Sequence, residues 1–306
     1  MLGPEHVGER VVVRVRAATA GGRAKFTDRK GILKAVTSND IVISFESGTS
    51  ETIPLREIAA SRVIPPRPTR FSEILDLEKA LAENWIARDN ERFSGWLLRA
   101  ADGCTYRANS VLALSEPDVA LDEALAYTEK WYGERGLPPI ITISGPPAKR
   151  LDDELAARGW ERRSESVVMA GPIRARAAGS SVVIADSPCE RYFESVDERH
   201  RETLRAILTG SETAGFAELR EGGEIVAWGR GVVHRDALML SRVEVDPRHR
   251  RRGLATRIID ALEDWGASQG ASRTALQVFH ENEAAIALYA ARGLEKKYSY
   301  WYRTRV

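Results

Sequence analysis

The chain is poor in the residue types that announce chemistry on their own. Its 306 residues include two cysteines, Cys104 and Cys189, without CxxC spacing, which argues against a disulfide framework and against a cysteine-bound zinc. The five histidines, His6, His200, His234, His249 and His280, are scattered with no pair at i, i+4, so no metal is expected. No apolar run approaches the ~18 residues of a membrane-crossing helix. The opening MLGPEHVGERVVV holds neither an apolar core segment nor a small-residue cleavage site, so no secretory signal is expected and the cytoplasm is the expected location. Lysine is scarce, 8 against 37 arginines, a bias of composition rather than of ligand. A P-loop is excluded for want of GKS or GKT, and the dinucleotide fingerprint GxGxxG is missing too.

What is present fits a globular protein, with 43% hydrophobic and 29% charged residues. Its length exceeds what one compact core usually spans, so two or three domains are expected. The net charge of +1 is unevenly spread: residues 1–70 carry 12 Lys and Arg against 7 Asp and Glu, or +5, leaving 33 against 37, or −4. A mildly basic front end of this size, with only Phe26 and Phe45 as interleaved aromatics, does not argue for nucleic-acid binding.

Residues 8–64 read as short β runs, Val11–Arg16, KGILKAV, Asp40–Phe45 and ETIPL, broken by the turn signals AGGR, SND and ESGTS, which suggests a small β-barrel over 1–66. IPPRPTR, Ile64–Arg70, is expected as a stiff linker. From Phe71 the pattern is mixed α/β: a helix FSEILDLEKALAENWIA capped by Ser72, strands in GWLLRA and YRANSVLAL, a helix LDEALAYTEKWYGERG ended by Gly136, a strand IITIS and a helix KRLDDELAARG. RARAAGSS, Arg174–Ser181, reads as a second linker, after which a similar order resumes. At a fixed offset of 134, Glu129, Trp131 and Gly136 match Glu263, Trp265 and Gly270, and Ala156–Gly159 match Ala290–Gly293. Two related α/β units are therefore expected, over 71–173 and 182–306.

VDPRHRRRGLATRIIDAL, from Val245, follows the strand LMLSRVEV and opens an amphipathic helix near Gly253. Helix N-terminal amides and the positive end of the helix dipole favour an anion there, and a glycine admits it close to the backbone. Arg250, Arg251, Arg252 and Arg248 would add charge and suit a pyrophosphate; a solvated basic loop is the alternative. At the equivalent place the first unit has Glu116, Asp118 and Val119, which would repel phosphate, so that unit reads as silent.

Arg250-x-x-Gly253-x-Ala255, between a strand and a helix, resembles the Gln/Arg-x-x-Gly-x-Gly/Ala signature of the GNAT superfamily of N-acetyltransferases. LQVFHENEAAIALYAARGLEKKYSYWYR resembles its later strand, Asn-containing turn, LY helix and closing strand. The resemblance is strong over 182–306 and weak over 71–172. It implies a GNAT fold in two tandem units behind an SH3-like barrel, as in some actinobacterial proteins labelled histone acetyltransferases. It implies acetyl-CoA, with its pyrophosphate on the amides of Arg251, Arg252, Gly253, Leu254, Ala255 and Thr256. The pantetheine arm would lie on Val243 and Val245, and Asn282 would contact the cofactor. Tyr289 would protonate the leaving thiolate. For Asn282 the alternative is a helix cap, and for Tyr289 a packed core ring.

The glutamate that often acts as base in the family is missing, since Met239 and Gln277 stand at its places. Glu244 is the candidate, with Glu218 second; charged strand residues are often merely solvated, and direct attack through ordered water is the other route. Leu155 stands where the second unit has Tyr289. RANSV, Arg107–Val111, is familiar from tandem GNAT-like proteins and is assigned no chemistry, and Trp85, Trp96, Trp228 and Trp301 are expected as packing. The function implied is acetyl transfer to a primary amine of a small molecule, amino acid or protein, within a ternary complex. A non-enzymatic acetyl-CoA sensor or adaptor is the alternative. Neither the acceptor nor the oligomeric state can be read.

Overall fold

The computed structural model describes residues 2–17, 25–45, 47–64, 68–174 and 181–305. The turn AGGR and parts of the two expected linkers, 65–67 and 175–180, lie outside them. The chain divides into two compact units, Met1–Pro68 and Thr69–Val306.

The front unit is an antiparallel sheet of five strands, β1 (Arg10–Ala17), β2 (Lys25–Val36), β3 (Asp40–Ser44), β4 (Ser50–Pro54) and β5 (Ile58–Val63), in the order β4-β3-β2-β1-β5. Val11 and Val13, Leu33, Ile41 and Ile43, and Ile53 alternate inward and form its core. The fifth strand, IAASRV, has no strong apolar alternation and escapes sequence reading. It pairs with β1 from Val11↔Val63 to Val15↔Ile58.

The second unit is mixed α/β, as the resemblance implies. Its first half runs α1 (Phe71–Asn84), β6 (Asp89–Phe93), β7 (Trp96–Ala100), β8 (Val111–Leu112), α2 (Leu121–Gly133), β9 (Ile140–Ser144), α3 (Lys149–Ala157) and β10 (Glu161–Pro172). The second half runs β11 (Val182–Ala185), α4 (Glu198–Thr209), β12 (Ala214–Glu221), β13 (Glu224–His234), β14 (Ala237–Val245), α5 (Leu254–Ser268), β15 (Arg273–Phe279), α6 (Glu283–Ala291) and β16 (Glu295–Thr304). Two local expectations are corrected. Arg70, not Ser72, is the N-cap of α1 and gives no side-chain cap, so Ser72 lies inside the helix. YRANSVLAL is mostly not a strand: Tyr106–Ala108 is a 3-10 turn and only Val111–Leu112 pairs.

All eleven strands of this unit lie in one sheet, ordered β11-β12-β13-β14-β15-β10-β16-β9-β8-β7-β6. Each half contributes one parallel pair, β8 with β9 and β14 with β15. The closing strands are exchanged: β10, which ends the first half, lies against β15, and β16, which ends the second, lies against β9. The core follows strand alternation. Leu238, Leu240, Leu276 and Val278 pack under α5, while Met239, Ala275, Val168 and Tyr298 face α1 on the other side.

Candidate functional site

The arginine stretch sits where two strands part. β14 and β15 pair from Ala237↔Arg273 to Leu240↔Leu276, and then pairing stops although β14 continues to Val245 and β15 to Phe279. A bulge drives β14 aside. Trp228 faces Glu244 and Arg230 faces Ser241, so Arg242 and Val243 together oppose Gly229, with Arg242 at a left-handed φ of 50°. Val243 and Val245 lie on the parted segment with unpaired edges toward β15.

Beyond Val245, Asp246 ties the turn down. Buried to 4% exposure, it accepts from the Arg248 backbone N–H at 2.9 Å and from the Arg191 guanidinium at 3.1 Å. These donors, Arg248 foremost, hold its carboxyl well below the usual carboxylate range. Nothing in the sequence marked Asp246 apart from its position before a proline, where a short acceptor favours a turn.

Arg251 and Gly253 adopt left-handed φ values of 64° and 74°, and Gly253 caps α5, which begins at Leu254. Alternation of such residues turns successive amides to one side, and the first helical amides have no partner within the helix. Among the described residues, the amides from Arg251 to Thr256 have no acceptor outside the helix. A Cβ built on Gly253 would meet nothing within 4 Å, so the space before it is open. Of the side chains, Arg252 pairs with Glu221 at 3.0 Å, Arg250 donates to the Val245 carbonyl at 3.3 Å, and Arg251 is exposed.

Asn282 is the N-cap of α6, accepting from the Ala285 amide at 3.1 Å through Oδ1, so the cap uses one end of its carboxamide. Tyr289 is 8% exposed and packed in the core on the α5 side, with its hydroxyl pushed up to about 12 by burial. Glu244 and Glu218 both lie directly opposite Trp228, on β14 and β12, so the three share one face of the sheet. Glu218 is engaged by Arg220 at 2.9 Å and nearly buried, whereas Glu244 is 41% exposed and 3.5 Å from Arg242. Met239 is fully buried, and Gln277 brings a neutral amide whose oxygen is buried without a partner among the described residues.

The first half has the same parting after Leu112↔Thr142, and there it holds a cavity of about 600 Å³. Ala113, Leu114, Leu151 and Ser144 line its wall. Glu116 and Arg150, bridged at 2.7 Å, and Arg158, paired with Asp122 and Glu154, line it as well, so the cations at this cavity are engaged by carboxylates. Leu155 is fully buried in the core. Trp85, Trp96 and Trp228 are buried, and Trp301 donates to Asp152 at 2.8 Å.

Comparison with known proteins gives a consistent result. Residues 71–303 match the family model described as probable histone acetyltransferase Rv0428c C-terminal. The chain is 29% identical over 275 residues to the uncharacterized N-acetyltransferase YobR of Bacillus subtilis, spanning 77% of this chain and 100% of that one. It is 28% identical over 287 residues to the probable histone acetyltransferase Rv0428c of Mycobacterium tuberculosis, spanning 92% and 89%. In structure it resembles a tandem GNAT protein from the clavulanic acid biosynthesis pathway, with a TM-score of 0.53 over 80% of this chain and 89% of that one; at 13% identity this is a likeness of fold.

Proposed function

The chain belongs to the Rv0428c C-terminal family of GNAT-type N-acetyltransferases, and from that membership we propose that it transfers an acetyl group from acetyl-CoA to an amine at the parting of β14 and β15. The observation that carries this reading is the run of unengaged amides from Arg251 to Thr256 before the open face of Gly253. Such a cradle suits a pyrophosphate through hydrogen bonds and the helix dipole, with Arg250 and Arg251 adding charge. The unpaired edge at Val243 and Val245 suits an amide-bearing arm, and Asn282 has its amide nitrogen outside the cap. Acetyl-CoA supplies a thioester whose carbonyl carbon an amine can attack, forming the C–N bond as the C–S bond breaks.

Tyr289 keeps its proton at neutral pH because burial raises its hydroxyl, and it delivers that proton to the departing sulfur. Glu244, the more exposed of the two carboxylates on the opposite face, takes the amine proton, directly or through one water. The test is calorimetric titration of acetyl-CoA into wild type, Gly253→Glu and Gly253→Asn. Asparagine tolerates the left-handed backbone and carries no charge, so it should bind. The glutamate variant should not bind; unchanged affinity there would overturn the cradle.

A further inference from the structure

Arg107–Val111, the RANSV motif, plays no part in the site above, yet the loop that carries it is tied down heavily. Asn109, 3% exposed, accepts from the amides of Ala101 and Gly103 at 2.7 and 2.9 Å and donates to the Thr105 carbonyl at 2.7 Å. Thr105 accepts from the Trp85 indole at 3.0 Å. The same loop grips the second half of the sheet unit, where Asp102 accepts from Thr203 at 2.6 Å and Cys104 lies within the field of Arg242. A loop fixed at so many points presents its side chains in preset positions.

The side chain so presented is Arg107. Its guanidinium stands 5.0 Å over the Trp85 ring and donates to the phenols of Tyr300 and Tyr302, while its Nε is buried without an acceptor among the described residues. Among the described residues no carboxylate forms an ion pair with it. Glu78 feels its charge, but that carboxyl accepts from Tyr298 at 2.7 Å and burial pushes it toward the neutral form. Arg99, close by, spends its donors on Ser110. Arg107 is half-buried and its partners are neutral phenols and an indole, so its charge is not balanced by any carboxylate among the described residues and suits an anion.

Its position relates it to the parted strands. Ser241 and Gln277 are the first residues past the last β14–β15 pair, and Ser241 Oγ, Gln277 Oε1, Arg242 Nε and Trp228 Nε1 are also buried without partners among the described residues. Gln277 lies opposite Val168, and Val168 opposite Tyr298, whose side of the sheet Tyr300 and Tyr302 share. Arg107 therefore stands over the same face as the opening, about two strand spacings or roughly 10 Å along the sheet.

We propose that the acceptor amine carries a carboxylate, which Arg107 holds on this face while the amine reaches the opening between β14 and β15. This rests on the acetyltransferase reading above. A guanidinium fork matches a carboxylate in two parallel hydrogen bonds, whereas Arg107, Arg99 and Arg242 together oppose a Lys- and Arg-rich peptide. The acceptor class is thus an amino acid or a similar amine-bearing acid.

The experiment pairs each acid with its decarboxylated counterpart: glycine with methylamine, aminocaproate with pentylamine, lysine with cadaverine. Binding to the CoA-loaded protein is measured by calorimetry and transfer by thiol release, for wild type, Arg107→Gln and Arg107→Lys, with thermal melting to confirm folding. At least one acid should bind and be acetylated with a KM about tenfold or more below that of its counterpart, as a charged hydrogen bond of this kind confers. Arg107→Gln should remove the difference while leaving CoA affinity unchanged, and Arg107→Lys should restore part of it. If the glutamine variant does not fold, the lysine variant must show an intermediate preference. Equal KM values within every pair, a preference that survives Arg107→Gln, preferred acetylation of a basic peptide, or no binding by any acid would each overturn the proposal. Acid binding lost in Arg107→Gln, with no transfer to any amine, would uphold the anion site and overturn the acetyltransferase reading.

Discussion

At the residue scale, matched positions in the two halves have diverged in their partners. Arg292 is buried and bridges Asp260 and Glu263, each at 2.7 Å, while Thr274 donates to Glu263. Its counterpart Arg158 bridges Asp122 and Glu154 instead, and Glu129, the counterpart of Glu263, pairs with Arg305. Repetition of residue types preserved the helices without preserving the ion pairs. Tyr289 and Leu155, at the same offset, show the same divergence at the position proposed for the acid. With the Tyr289 hydroxyl raised to about 12, its proton stays on throughout the neutral range, so kcat should show no falling limb below the ordinary phenol value of 10.0. Steady-state rates across pH should rise as the amine loses its proton. Tyr289→Phe should lower kcat by about 10²-fold at every pH while leaving acetyl-CoA affinity intact. A variant as fast as wild type would make Tyr289 a packing residue.

At the element scale, the site depends on how closely α5 approaches the sheet. Gly215, Gly229 and Gly231 lie beneath it: an added Cβ would come within 2.8 Å of Trp265 at Gly215 and within 2.6 Å of Ile258 at Gly229. Gly229 also faces the bulge that parts β14 from β15. Gly229→Val should therefore cost about 1–3 kcal/mol by overpacking and weaken acetyl-CoA binding by moving the N-terminus of α5. Urea unfolding and calorimetry check the two effects; a variant with native stability and affinity would show that α5 has room to shift. On the other face, the fully buried Arg230 donates to the Leu208 carbonyl at 2.8 Å and to the Asn84 carbonyl at 2.9 Å. It thereby meets the negative ends of α4 and α1, the elements that cover this face.

At the scale of the whole molecule, the exchange of β10 and β16 makes the two halves of the sheet unit interdependent. Residues 182–306 alone would lack β10, leaving the inner edge of β15 unpaired and β16 without either neighbour. Unpaired inner strands expose backbone donors and apolar faces to aggregation. The fragment 182–306 expressed by itself should be insoluble or unfolded and should bind no acetyl-CoA, whereas residues 69–306 should fold. Circular dichroism and titration of the two fragments decide this, and a folded, binding 182–306 would show that the exchange is dispensable.

Local chemistry made much of this legible in the sequence. Apolar periodicity marked α2, α3, α5, β9 and β14, since burying a helix stripe or strand face leaves its period in the residues. Pro247, the arginines and Gly253 marked the strand-to-helix junction for the same local reason. Weakly apolar β5, and the turn at Tyr106–Ala108 that reads as a strand, take their form from neighbours distant in sequence. Tertiary structure alone decided that the closing strands cross, that β14 parts from β15 past Leu240, and that Arg107 comes to lie over the face of that opening. Each is a contact between segments far apart in the chain, and local residue preference is blind to which remote partner will satisfy a strand edge or a buried charge.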